Sequence, residues 1–358
     1  MPRFLTGVVM PLSFALLRGR ALAPGLPQPG LPRQPPALPW PDLAQMRGAT
    51  HTRRSNIARQ IKLGWALLRA QAHRGQFDAV LQQHRHWQPV FLRQASSFEP
   101  LLQSFMDRRA GMAQRFLQVQ HDLAAATQAF GVATGSRIAL GERVVLCTLG
   151  HVNGVGNAGS IGLGLNPVCK REGLWALSLH NACGLRVCQI SFSFLPGQRL
   201  MIGSVQGAAA QDSAAMQAVR DLTHAAEGLR PAHLLSEVLR ALCRRWSLDL
   251  VGVDPQHHVK KRWHQRTLAV CFDYCGFWTE LGGQRQADAV WSLPTVRAAR
   301  DIADVPSKRR AQYKRRLALL AALPEALQHL PFTSTLAPAA TVTATLTATL
   351  TPKPRPAP

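Results

Sequence analysis

Residues 185–195, Leu-Arg-Val-Cys-Gln-Ile-Ser-Phe-Ser-Phe-Leu, meet Pro196-Gly197 and then Leu200 to Val205, Leu-Met-Ile-Gly-Ser-Val. Two apolar, branched and aromatic runs around Pro-Gly predict an antiparallel hairpin. Reading outward, Arg143 to Leu149, Ile161 to Leu165 and Leu174 to Leu179 are three further strand-like runs upstream. Downstream the period changes. Ala214 to Ala226 predicts a helix, and Leu234, Leu235, Val238, Leu239, Leu242, Cys243 and Trp246 fall on one face of a second helix. Arg240, Arg244 and Arg245 sit elsewhere on that helix. Pro231 is placed where a helix tolerates proline, in the first turn. Leu248 to Val253 reads as a short buried strand and Thr267 to Phe272 as another, and a last helix starts near Ser307.

The N-terminal side reads as helix. Ile57, Ile61, Trp65 and Leu68 recur at helical spacing; Phe77, Val80 and Leu81 begin a second short helix; Ala110 to Phe130 carries one apolar stripe. Helices, then an antiparallel strand meander, then helix-strand units give an α+β or mixed α/β class. Residues 1–50 are expected to form a proline-rich, largely disordered head, 51–330 one domain (helical over 51–135, α/β over 136–330), and 331–358 a disordered Thr/Ala/Pro tail.

The chain has 358 residues, 46% of them apolar, enough for a large core. Lys and Arg number 42 against 19 Asp and Glu, a formal charge of +23. A surface so rich in guanidinium attracts anionic partners. The densest run is Lys308, Arg309, Arg310, Lys314, Arg315 and Arg316. Few aromatics interleave with it, so base stacking is not supported and nucleic acid ranks below an anionic lipid or glycan surface. Seven cysteines at irregular spacing do not make a secreted disulfide framework. Residues 1–23 have the outline of a signal peptide, but Pro11, Arg18 and Arg20 interrupt it. No stretch reaches the ~20 uncharged apolar residues of a membrane span. The expectation is a cytoplasmic protein, peripheral to the inner membrane if it meets one.

Gly154-Val155-Gly156-Asn157-Ala158-Gly159 fits a dinucleotide fingerprint literally, but Ser160 to Gly164 continues as strand or loop where that site needs a helix. Cys271 and Cys275, with His257, His258 and His264 upstream, lack the second ligand pair of a zinc knuckle, so no metal is expected. Gly228-Leu229-Arg230 opens a helix whose free amides, with the Arg230 charge, suit an anion. Strand, loop, helix and strand in that order resemble the cofactor half of GNAT-type acyltransferases, whose loop holds the pyrophosphate of an acyl coenzyme A. The Arg/Gln-x-x-Gly-x-Gly pattern of those enzymes is absent here, and the analogy is topological. Gln206, His258, Asp273, Tyr274 and Glu280 are the candidate catalytic residues of a cleft shared with Arg230.

Three blocks, Ile202 to Gly207, Gly228 to Pro231 and Asp273 to Gly283, resemble the VirK- and YbjX-like bacterial proteins, a family of unknown biochemical activity. The likeness continues through Trp291 to Pro294 and Val305 to Arg316 and back to His121-Asp122 and Glu172-Gly173, covering roughly 55–325. It implies an accessory role in stress response, virulence or tolerance of antimicrobial peptides, and no cofactor. Cys275-Gly276 stands where acidic and small polar residues are expected, so this loop offers no carboxylate pair. A GNAT-type acyltransferase using acyl coenzyme A is the alternative.

Overall fold

The hairpin at Pro196-Gly197 lies inside a mixed eight-stranded sheet of order β1-β2-β3-β4-β5-β6-β8-β7. The computed structural model describes residues 38–49, 57–150, 157–208, 212–260, 272–298 and 301–336. The strands are β1 (Val144–Gly150), β2 (Asn157–Leu165), β3 (Trp175–Asn181), β4 (Arg186–Leu195), β5 (Arg199–Gly207), β6 (Asp249–Val253), β7 (Gln284–Arg285) and β8 (Val290–Leu293). The helices are α1 (Leu43–Ala49), α2 (Ile57–Gln83), α3 (Gln88–Arg93), α4 (Glu99–Leu102), α5 (Met112–Ala139), α6 (Ser213–Ala225), α7 (Pro231–Trp246), α8 (Tyr274–Glu280) and α9 (Ser307–Gln328). The fold is α+β.

Strands β1 to β5 form an antiparallel meander. The chain then crosses over through α6 and α7, so β6 pairs with β5 in parallel, from Arg199↔Asp249 to Ile202↔Gly252. Strand β6 stops at Val253 while β5 runs on to Gly207, so the two strands share only their first residues. A bulge next to Gly203 reverses the alternation between Ile202 and Ser204. Gly203 is required there, because a Cβ would stand 1.9 Å from the Glu172 carbonyl oxygen.

The two sheet faces differ in chemistry. Trp175, Phe192, Phe194 and Ile202 face α5 and α7, where Phe130 contacts the rings of Trp175, Phe194 and Trp246. Packing continues past residue 330: Phe332 and Leu336 are buried, and Phe332 meets Phe130 and Trp246. The opposite face carries Gly162, Ser178, Gln189, Ser191 and Ser204 in neighbouring register positions.

The structure corrects the helical readings at several points. The runs at Ile57 and Phe77 belong to one 27-residue helix, α2, since no proline or cap separates them. Its first apolar stripe does not enter the core: Ile57, Ile61, Trp65 and Leu68 are 56–73% exposed, while Ala70, Phe77 and Leu81 carry the packing. Arg240 lies buried on α7, donating to Glu237 at 2.7 Å and to the Leu281 carbonyl. Sequence reading stops α5 at Phe130; the helix has its break next door, at Gly131, and resumes. The strand expected over Thr267 to Phe272 falls almost wholly outside the described residues.

Candidate functional site

The crossover places a helix start against the end of the sheet. Arg230 is the extended N-cap of α7, with Pro231 first in the helix. Its side chain is exposed and has no hydrogen-bond or ion-pair partner among the described residues. It stands at the rim of a 620 Å³ cavity between α6, α7 and the ends of β4 and β5. Val187, Cys188, Val205, Val219 and Phe272 give the cavity apolar walls; Arg220 and Arg230 are its cations. Burial pushes the Cys188 thiol up to about 12, so it is no nucleophile at neutral pH.

Helix α9 completes the rim. Gln312 lines the cavity, Arg315 Nε binds Glu227 Oε1 at 2.9 Å, and Arg316 Nε donates to the Glu227 carbonyl at 3.0 Å. Arg310 likewise donates to the carbonyls of Val305 and Ala303. Three of the six cations of this run therefore hold their own helix and the α6–α7 turn in place. Lys308, Arg309 and Lys314 are exposed.

A polar cluster lies buried behind the bulge. Glu172, 1% exposed, receives Lys260 Nζ at 2.9 Å and Gln206 Nε2 at 3.1 Å, and faces His258 Nε2 at 3.4 Å. His258 Nδ1 accepts the Lys260 backbone N–H at 3.2 Å, which puts the ring proton on Nε2, 3.1 Å from the Gly203 carbonyl. Burial holds this imidazole below its ordinary range, against the pull of Glu172, and it is neutral at pH 7. The Tyr274 hydroxyl accepts from the Val205 amide at 3.3 Å, and its ring lies 5.5 Å from that of His258. Burial raises its pKa. Such a group donates or accepts hydrogen bonds without ionising.

Gln206, His258 and Tyr274 thus converge on Glu172 and Gly203. Asp273 does not join them; it caps α8, accepting from the Gly276 amide at 3.0 Å. Glu280, at the other end of α8, pairs with His233 on α7 at 3.0 Å. Arg230 stands apart because strand alternation sends Gln206 and Val205 to opposite faces. Glu172 and Lys260 are site residues that pattern reading passed over. Glu172 was marked only within the family resemblance, and nothing in Lys-Arg-Glu-Gly announces a buried carboxylate. Of the fingerprint glycines, those up to Gly156 lie outside the described residues, and strand β2 follows them. Cys271 and His264 also lie outside; among the described residues no group of three or more His, Cys, Asp or Glu is placed to hold a metal. No helix among the described residues is long and apolar enough to cross a membrane.

Residues 52–329 match the family described as Protein of unknown function (DUF535). The chain belongs to this family. An uncharacterized protein of Haemophilus influenzae is 26% identical over 240 residues, covering 67% of this chain and 79% of its own length. A second from that organism is 29% identical over 258 residues, covering 71% and 83%. The uncharacterized protein YbjX of Escherichia coli is 30% identical over 159 residues, 43% of this chain and 48% of that protein. No solved structure matches the chain.

Proposed function

We propose that this protein is an accessory factor that holds an acylated, anionic ligand of the acyl coenzyme A class in the cavity under α6 and α7. The observation that carries the reading is an apolar chamber with an exposed guanidinium, Arg230, at its rim on a helix N-terminus, without a partner among the described residues. The walls suit an acyl chain; Arg230, Arg220 and the first amides of α7 suit a phosphate or pyrophosphate. The β5–helix–β6 crossover has the order of the GNAT cofactor half, and an acyltransferase is the enzymatic form of this reading. The family resemblance supplies the setting, stress and envelope adaptation.

The partner we assign is an anionic membrane surface. The support is α2: four exposed large apolar side chains on one face, with Lys62 and Arg69 exposed beside them. Such a stripe lies well in a lipid interface, and the chain's +23 charge complements anionic headgroups.

Thermal melting with acetyl, octanoyl and free coenzyme A tests the ligand. At about 100 times Kd a ligand specific for the native state adds about 2.7 kcal/mol. The acyl forms should raise Tm most. Arg230→Glu, at an exposed position, should melt like the parent and lose the shift. No shift with any of the three at millimolar concentration refutes the reading.

A further inference from the structure

The polar face of the sheet holds a second cavity, of 550 Å³, distant in chemistry from the first. Its floor comes from β2, β3 and β4, where Gly164 pairs with Ala176 and Ser178 with Gln189. Its charged lining is Arg143, Lys170, Arg186 and Glu142. Glu142 is paired with Arg137 at 2.8 Å.

None of those cations forms a close ion pair with a carboxylate among the described residues, although Glu99 acts on Lys170 through its charge. Arg143 lies flat over Gly162, where a Cβ would meet its Nε at 2.6 Å, so glycine is what admits it. It donates to the Ser178 and Ser160 hydroxyls at 3.0 and 3.2 Å and to the carbonyls of both residues. Lys170 is only 7% exposed, and its ammonium has one neutral partner, Gln94 Oε1 at 2.7 Å. The nearby Glu99 faces Arg171 at 3.9 Å. Arg186 reaches Gln189 Oε1 at 3.0 Å. Gln189 is itself held by Asn166, whose amide ties down the 166–173 loop that carries Lys170.

Burying an ammonium whose hydrogen-bond partner is a neutral amide is costly, and the Glu99 charge that offsets it is shared with Arg171. Burial holds the Lys170 pKa below its ordinary value. An ammonium has three donors and a guanidinium five, so Lys170 and Arg186 each keep most of theirs free. The geometry points to a binding site for a small, multiply charged oxyanion, held between Lys170, Arg143 and Arg186 above the Ser178–Gln189 floor. Phosphate esters and polycarboxylates share that chemistry. The site is independent of the acyl cavity and stands or falls without it.

The test is calorimetric titration of the full chain with pyrophosphate, with citrate and, as a monovalent control, with acetate. Pyrophosphate binding with weak citrate binding marks the ligand as phosphorylated; the reverse marks a polycarboxylate. Acetate should bind far more weakly than either. Lys170→Gln and Arg186→Gln should each weaken binding by about tenfold or more, the loss expected for one charged hydrogen-bond partner. Arg186 is exposed, so Arg186→Gln keeps the test valid if the Lys170 variant fails to fold. In the Arg230→Glu background, which removes the cation of the first cavity, the binding that depends on Lys170 and Arg186 should persist. Equal affinity for acetate, no binding of either polyanion, or binding that Arg230→Glu removes and Arg186→Gln spares would overturn the proposal.

Discussion

At the scale of single residues the sharpest energetic feature is Asp122. This fully buried carboxyl on α5 accepts Trp175 Nε1 at 2.7 Å and the Phe194 amide at 2.8 Å through one oxygen. Burial raises its pKa from 3.8 to about 7, although the bonds from Ser193, Phe194 and Trp175 act to lower it. The folded chain therefore keeps a proton that the unfolded chain releases between about pH 4 and 7. Stability from this group is complete below that window and is lost as pH rises through it, at about 1.4 kcal/mol per pH unit. Asp122→Asn keeps the accepting oxygen and removes the titration. Urea denaturation from pH 4.5 to 7.5 should then show the variant gaining on the parent as pH rises; parallel curves would refute the assignment. His121-Asp122 stood out in the sequence only through family likeness. Its burial was illegible there, because the face of a helix that meets a sheet is fixed by partners far along the chain.

At the scale of elements, what could be read was whatever carried its own period. The meander and α7 follow from alternation, a Pro-Gly turn and one unbroken apolar face. Helix α8 and strands β7 and β8 could not be read. They have two to seven residues each, too few for a period, and are held by contacts such as Trp278 Nε1 to the Val253 carbonyl at 3.0 Å. Arg245 shows the same limit. It reads as surface charge, yet it donates to the carbonyls of Leu327, Leu330, Phe332 and Thr333, tying the segment after α9 to α7. These carbonyls lie in the last turn of α9 and beyond its end, where acceptors need donors from elsewhere. Arg245→Ala should cost on the order of 3 kcal/mol, since bonds to a charged donor are the strong ones. It should also open the 327–336 segment to proteases. Arg245→Lys should not rescue, because a single ammonium cannot span the positions a planar guanidinium reaches. A wild-type urea midpoint for Arg245→Ala would show the clamp to be idle.

At the scale of the whole molecule, the +23 charge and the α2 stripe bear on one question. Charge alone brings a protein to an anionic surface but leaves it there only while salt is low, because the Debye length shrinks as salt rises. Apolar side chains add a part that salt does not screen, roughly 25 cal/mol per Å² removed from water. Ile57, Ile61, Trp65 and Leu68 stand ready to supply it, and Lys308, Arg309 and Lys314 supply exposed charge. The two contributions separate in one flotation experiment with phosphatidylglycerol and phosphatidylcholine vesicles. The parent should float with the anionic vesicles alone and be largely released between about 0.1 and 0.5 M salt. Trp65→Ser with Leu68→Ser should leave capture at low salt but make release occur at lower salt. Neutralising Lys308, Arg309 and Lys314 should weaken capture at the outset. If both vesicle types bind equally, or if the serine pair releases at the same salt as the parent, then α2 does not enter lipid and its stripe serves another protein surface.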